Sequence, residues 1–251
     1  MLPGLAIATL LALVSSALPA SAATRQARDC NTVPVFFGLH GITEGPSPTV
    51  SKWSEVLMSF DREQNAMGGA VLNYPISYTT LYPNDFFVPG RLRGALADGE
   101  NALDSAITDY SQGCSVSQDE FFLVGYSMGA WVINKWIVDH PSEWPMIKAV
   151  VLYGDPCWVN GKDQGLARQG SHGCMPATYY PFPVKVDTVP FPVQSWSMPR
   201  DPVSGAGWGE DRIAQLRAAK DCEKSHCSHL EYADSTEIYE GAKLVVSRLG
   251  G

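Results

Sequence analysis

The sequence predicts an α/β fold in which helices flank both faces of a central, mostly parallel sheet. Short apolar runs alternate along the chain with segments whose apolar residues recur at helical spacing. Such alternation indicates strand–helix–strand units, which place their strands side by side and in parallel. The composition is globular, with 45% hydrophobic and 18% charged residues. No break in composition indicates a second domain.

Five apolar runs are predicted to form the strands of this sheet. They are Val33–Leu39, Ala70–Pro75, Glu120–Val124, Lys148–Gly154 and Pro192–Ser197. Helical spacing of apolar residues predicts a helix after each of the first three strands and after the last one. The first helix covers Ser51–Gln64. The second contains Leu96 to Tyr110 and ends near Gly113. The third and fourth cover Ala130–Val138 and Ser235–Leu249.

The pentapeptide Gly125–Gly129 has the Gly-x-Ser-x-Gly pattern of a nucleophile elbow. In this motif the serine occupies a strained turn between a strand and a helix, and a side chain on either flank would collide with neighbouring backbone. A predicted strand precedes the pentapeptide and a predicted helix follows it, as the motif requires. The sequence therefore predicts Ser127 as a nucleophile, and the alternative is an ordinary Gly-Ser turn.

A serine nucleophile needs a base that accepts its proton and a carboxylate that orients the base. In α/β-hydrolases the acid follows the serine in the chain, and the histidine follows the acid. Asp155 and Asp201 both follow predicted strands. Asp201 is favoured because it follows the second strand after the elbow, where the acid usually lies beside the histidine loop. The alternative role for Asp155 is that of a turn or helix-capping carboxylate before Pro156.

Two histidines follow Asp201 and are candidates for the base, His226 and His229. His229 is favoured because it precedes the final helix, whereas His226 lies inside the short loop between Cys222 and Cys227. His40 and His172 precede the acid and break the expected order.

Two backbone N–H groups are expected to bind the oxyanion of an acyl-transfer intermediate. One belongs to Met128, which follows the nucleophile and opens a predicted helix. The other is expected in the loop after the first strand, where Ile42 follows Gly41. The glycine would allow the backbone of this loop to approach the site.

Residues 1–22 are predicted to be a signal peptide. Leu5 to Leu18 is an apolar stretch too short to span a bilayer comfortably, and Pro19 to Ala23 supplies the small residues of a cleavage site. The alternative is an uncleaved N-terminal anchor. We therefore expect residues 23–251 to form one secreted domain without stable insertion in a membrane.

All six cysteines follow the predicted signal peptide. An even number in an exported chain indicates three disulfides, for which about 15 pairings exist. The cysteines are Cys30, Cys114, Cys157, Cys174, Cys222 and Cys227. A metal site at the last two cysteines with the nearby histidines is the alternative, but the spacing lacks the Cys-x-x-Cys pairs of common zinc sites. We expect neither a metal nor an organic cofactor.

The formal net charge of −8 argues against a nucleic-acid partner, which would favour a basic surface. We expect a monomer that acts on an ester substrate. Residues 160–192 form a long segment rich in glycine, proline and aromatic residues. Such a segment either lines a substrate cleft or forms a surface loop pinned by a disulfide.

At these residues the chain resembles the cutinase-like serine esterases, which include cutinases, acetylxylan esterases and mycobacteriophage endolysins that cleave mycolyl–arabinogalactan esters. Four stretches carry the resemblance: Gly125–Ala130, like the family's Gly-Tyr-Ser-Gln-Gly-Ala; Gly41–Glu44, like its oxyanion loop; and Asp201–Val203 and His229–Tyr232, like its acid and base loops. The resemblance implies a single-domain α/β-hydrolase fold. It also implies hydrolysis of carboxylic esters through an acyl-enzyme on Ser127.

The resemblance further implies a disulfide between Cys30 and Cys114. The late pair Cys222 and Cys227 is shifted toward the histidine relative to the family, and Cys157 with Cys174 is then the pair left by elimination. Two residues depart from the family pattern, since Met128 replaces a glutamine and Ile42 replaces a hydroxyl residue. Two other functions stay open at this point. One is a cell-envelope lipid esterase or acyltransferase that uses the same residues, and the other is a non-catalytic binding protein that keeps the fold.

Overall fold

A five-stranded, fully parallel sheet lies at the centre of the part of the chain that the structure describes. The structure is a computed structural model, and it describes residues 34–42, 44, 54–79, 81, 88–111, 120–157, 189–198, 201–204, 222 and 227–249. The strands are β1 (Val35–Leu39), β2 (Leu72–Ile76), β3 (Phe121–Tyr126), β4 (Ile147–Tyr153) and β5 (Val193–Trp196). Their order is β2-β1-β3-β4-β5.

Helices cover both faces of this sheet, which confirms the predicted fold class. They are α1 (Glu55–Ala66), α2 (Pro89–Ser111), α3 (Met128–Asp139) and α4 (Thr236–Ser247). Helices α1 and α4 pack together on one face, and α2 and α3 pack together on the other. Short 3₁₀ segments at Pro141–Met146, Ser228–Leu230 and Tyr232–Asp234 complete the regular structure of the described residues.

Strand β3 shows why the strands were recognisable as apolar runs. Phe121 and Leu123 join the apolar cluster under α2 and α3, whereas Phe122 and Val124 join the cluster under α1 and α4. Successive side chains of a strand point to opposite faces, and here both faces are covered. All residues of β3 are therefore buried, and the sequence of the strand is continuously apolar.

The register of the strands gathers their carboxyl ends at one edge of the sheet. Leu39 at the end of β1 pairs with Gly125 of β3, and Tyr153 of β4 pairs with both Tyr126 and Trp196 of its neighbours. The segments that follow β1, β3, β4 and β5 consequently meet at this edge. In open α/β sheets this edge is where ligands bind.

The predicted strands and helices are all present, with ends that differ by a few residues. Several predictions lie outside the described residues: the signal peptide at 1–22, most of the segment 160–192, His172, His226, Cys30, Cys114 and Cys174. The disulfide between Cys222 and Cys227 is present. None of the described helices is long and apolar enough to cross a membrane.

Candidate active site

Ser127 occupies the strained turn that the elbow motif requires. With φ of 56° and ψ of −118°, it is the only non-glycine among the described residues that has a positive φ. A Cβ on Gly125 would lie 2.8 Å from the backbone of Ala130, and one on Gly129 would overlap the carbonyl group of Leu39. Both flanking positions therefore exclude any side chain, so the glycines have the steric role that the sequence predicted.

The structure brings Ser127, His229 and Asp201 into one continuous hydrogen-bonded chain. His229 Nε2 lies 2.9 Å from Ser127 Oγ, and His229 Nδ1 lies 3.0 and 2.9 Å from the two oxygens of Asp201. A neutral imidazole with its proton on Nδ1 donates to the carboxylate and accepts from the serine hydroxyl. In this arrangement the histidine can take the proton of Ser127, and the carboxylate can stabilise the resulting imidazolium.

Asp201 is completely buried, and it accepts hydrogen bonds from the turn that follows it and from the side chains of neighbouring residues. The backbone N–H groups of Val203 and Ser204 donate to Oδ1 at 2.7 and 3.2 Å. The hydroxyls of Ser204 and Tyr232 lie 2.6 and 2.8 Å from Oδ2. Burial alone would raise the pKa of Asp201, but the charge and hydrogen bond of His229, with those of Ser204 and Val203, hold it below its ordinary value.

The imidazole of His229 rests on a glycine that directly follows β4. Gly154 has φ of 59°, and a Cβ there would lie 2.7 Å from His229 Cε1 and 2.9 Å from Nδ1. On its other sides the imidazole is stacked on the Tyr126 ring and meets the Tyr232 ring edge to face. Only a residue without a side chain at position 154 leaves the histidine its place between serine and acid.

Asp155 is buried as well, but the hydrogen bonds described for it are made with residues other than His229. Oδ2 accepts from Asn134 at 2.7 Å and lies 3.5 Å from the hydroxyl of Ser195, and Oδ1 accepts from the N–H of Cys157 at 2.8 Å. Burial raises the pKa of Asp155 to about 6, against the opposing effect of these hydrogen bonds. The contact with the residue two positions on is that of a turn carboxylate.

Hydrogen bonds to its backbone hold the loop after β1 in place. The N–H of Gly41 donates to Glu44 Oε2 at 3.0 Å, and the hydroxyl of Tyr78 donates to the carbonyl of His40. The His40 ring stacks on Tyr78 at a centroid distance of 4.2 Å. Burial lowers the pKa of His40 to about 4, so this histidine is neutral at ordinary pH. The contacts of His40 are thus made within the loop and with Tyr78, and not with Ser127.

The two residues that carry the candidate oxyanion donors have apolar side chains, and both side chains contact the same apolar cluster. Met128 opens α3, and its N–H therefore has no acceptor within the helix. Its side chain is fully buried in the cluster under α2 and α3, and Ile42 packs against the same cluster. Both side chains thus anchor the backbone in the core.

Sequence reasoning missed three contributors to this site: Tyr126, Gly154 and Ser204. A glycine directly after an apolar strand is a turn signal that could have drawn attention to Gly154. The contacts of Tyr126 and Ser204 have no such local signal. Within the described ranges, no group of three or more His, Cys, Asp or Glu side chains is arranged to hold a metal ion.

An α/β fold with a serine, a histidine and an aspartate in hydrogen-bonded order is the arrangement found in serine hydrolases. Solved structures with this fold include a cutinase-like protein from Cryptococcus sp., with a TM-score of 0.60 and 18% identity over 90% of this chain and 99% of that chain. An acetylxylan esterase gives a TM-score of 0.59 and 17% identity over 88% of this chain and 100% of that one. Lysin B from Mycobacteriophage D29 gives 0.53 and 17%, over 85% and 86%.

These likenesses establish the fold, which this chain shares with a cutinase-like protein and an acetylxylan esterase. They cover most of this chain and nearly all of the first two structures. No model of a known protein family matches the sequence, and no curated protein matches it. The similarity is therefore one of fold, at identities of 17–18%.

We expect Gly154→Ala to lower the rate of nitrophenyl ester hydrolysis by about a hundredfold or more, because the added methyl group displaces His229. Gly68→Ala is the matched control, since Gly68 also has a positive φ of 80° but has nothing within 4 Å of its Cβ position. Both variants carry the same kind of backbone strain, about 1–2 kcal/mol. Equal activity in the two variants would contradict the role of Gly154.

The burial of Asp155 makes a pH-dependent contribution to stability. Because its folded pKa is raised from 3.8 to about 6, the contribution is complete only well below pH 3.8 and is lost as the pH rises through 6. The free energy of unfolding of the wild type, minus that of Asp155→Asn, should therefore fall by about 2–3 kcal/mol between pH 4 and 8. Urea unfolding at a series of pH values measures this difference, and a difference that stays constant or rises would refute it.

Proposed function

We propose that this chain is a secreted serine esterase that hydrolyses carboxylic esters through an acyl-enzyme. The observation that carries the proposal is the hydrogen-bonded chain from Ser127 through His229 to Asp201, with 2.9 Å on each side of the imidazole. The shared fold of a cutinase-like protein and an acetylxylan esterase supports the choice of an ester as the substrate.

In the proposed reaction, Ser127 Oγ attacks the carbonyl carbon of the ester while its proton passes to His229 Nε2. Asp201 stabilises the imidazolium through Nδ1. The N–H groups of Met128 and Ile42 bind the oxyanion, and each such donor contributes about 3–4 kcal/mol in other enzymes. The intermediate collapses when Nε2 protonates the leaving alcohol. A water molecule then hydrolyses the acyl-enzyme by the same proton transfers.

The secreted, single-domain character of the enzyme is part of the same proposal. The predicted signal peptide at 1–22 and the disulfide between Cys222 and Cys227 support it, because disulfides persist in oxidising environments. We propose that residues 23–251 form a monomeric esterase that needs no cofactor.

A second candidate within the same chemistry is a cell-envelope lipid esterase or acyltransferase. Its support is the fold shared with lysin B from a mycobacteriophage. The acyl-enzyme would be the same, and water or a sugar hydroxyl would receive the acyl group. Nitrophenyl esters of increasing chain length, an insoluble polyester and an added sugar acceptor would separate the candidates, since only an acyltransferase forms the acylated sugar.

A fluorophosphonate probe should label the wild type once, at Ser127, because this hydroxyl is activated by His229. Ser127→Ala should abolish both labelling and ester hydrolysis while the fold, measured by circular dichroism, is kept. Ser142→Ala, at an exposed serine, is the control and should be labelled like the wild type. A wild type that is neither labelled nor active would instead indicate a non-catalytic binding protein.

The two buried aspartates can be tested with the same substitution. Asp201→Asn should lower kcat by about 10⁴-fold, because an amide no longer holds the imidazole in the tautomer that accepts the serine proton. Asp155→Asn should keep kcat within about tenfold, since its contacts lead to Asn134 and Ser195. If only the change at Asp155 abolished activity in a folded protein, the assignment of the acid would be wrong.

A further inference from the structure

Tyr126 contacts both the base and the oxyanion loop, and it directly precedes the nucleophile. It is the last residue of β3, and its side chain is buried in the cluster under α1 and α4. We propose that Tyr126 is a positioning residue that holds His229 and the Gly41 loop in place relative to Ser127. This inference rests on the proposed esterase function and assigns a role to a residue outside the triad.

The first contact fixes the base. The hydroxyl of Tyr126 donates to the backbone carbonyl of His229 at 2.6 Å, across 103 residues of sequence. Its ring stacks on the imidazole with centroids 5.2 Å apart and planes 27° apart. His229 lies in a single 3₁₀ turn, Ser228–Leu230, and a segment this short makes few backbone hydrogen bonds of its own. Tyr126 therefore fixes both the position of the backbone of His229 and the plane of its ring.

The second contact fixes the loop. A Cβ on Gly41 would lie 3.0 and 3.1 Å from two carbons of the Tyr126 ring and 3.2 Å from Glu44 Oε2. Gly41 is thus held between an aromatic ring and a carboxylate that accepts its N–H. Because Ile42 follows directly, a shift of the Tyr126 ring would move the candidate oxyanion donor and the base together.

The surroundings of Tyr126 favour the protonated form of its hydroxyl, which is the form that donates a hydrogen bond. Burial, and then the charges of Glu44 and Asp201, raise the pKa of Tyr126 well above 10. The group is a permanent donor to the His229 carbonyl, and its loss can be tested by removing one oxygen atom.

Tyr153 provides a matched control for this test. It is the register partner of Tyr126 on β4, it is equally buried, and its hydroxyl also donates to a distant backbone carbonyl, that of Ile238. Its hydroxyl points to α4, where it lies against Gly241. Tyr153→Phe removes the same group on the same face of the sheet, where the hydroxyl bonds α4 and not the backbone of His229.

We expect Tyr126→Phe to lower kcat for a soluble nitrophenyl ester by about tenfold with KM within about twofold. Tyr126→Leu, which also removes the ring, should lower kcat by about a hundredfold. Tyr153→Phe should lower the melting temperature without changing kcat. An active wild type with unchanged kcat in Tyr126→Phe, or with equal losses in both phenylalanine variants, overturns this inference alone. A wild type that neither hydrolyses esters nor reacts with a fluorophosphonate overturns the proposed function and this inference with it.

A double-mutant cycle tests the contact with the loop separately. Gly41→Ala should lower kcat by about tenfold in the wild type, because its methyl group presses on the Tyr126 ring. In the Tyr126→Leu background the ring carbons are absent, and the same change should cost less than in the wild type, because only the contact with Glu44 Oε2 remains. If the two losses multiplied as independent effects, the ring would not support the loop, and the proposal would be restricted to His229.

Discussion

The charge of Asp201 is the constraint on which the candidate site depends, because this carboxylate is completely removed from solvent. A buried charge without partners costs several kcal/mol. Asp201 avoids that cost with N–H donors from its own turn, the hydroxyls of Ser204 and Tyr232, and the imidazole of His229. These partners come from the turn after β5 and from the segment before α4. Their common need to solvate one charge fixes the two segments relative to each other and aims the histidine at Ser127.

The two buried aspartates differ in what they face, and this difference separates a candidate acid from a structural carboxylate. Burial raises the pKa of both carboxyls, but at Asp201 the imidazole of His229 reverses the effect. Among the described residues the hydrogen-bond partners of Asp155 are neutral, Asn134 and Ser195 among them, and its pKa stays raised, at about 6. The imidazole beside Asp201 is thus what separates the electrostatics of the two buried carboxyls.

The fold could be predicted from the sequence because strands such as β3 are buried on both faces and are continuously apolar. The elbow could be predicted because steric exclusion at Gly125 and Gly129 leaves a local pattern. The support of His229 could not be predicted in the same way. The bond from Tyr126 spans 103 residues, and Gly154 is required only because an imidazole from a distant segment lies over it. Contacts of this kind depend on the tertiary structure and leave no periodic signal.

Met128 and Ile42 replace a glutamine and a hydroxyl residue of the esterases that this chain resembles. The two replacements share one structural explanation, because both side chains lie in the same apolar surroundings. Both side chains join the apolar cluster under α2 and α3, where Met128 is fully buried. A buried amide at position 128 would need hydrogen-bond partners inside this cluster, and an unsatisfied one costs about 1–3 kcal/mol. Packing in the core thus replaces hydrogen bonding by the side chains of residues 128 and 42 themselves, while Glu44 and Tyr78 still bond the backbone of the loop. What the two residues would offer an oxyanion, their backbone N–H groups, is unchanged by the replacement.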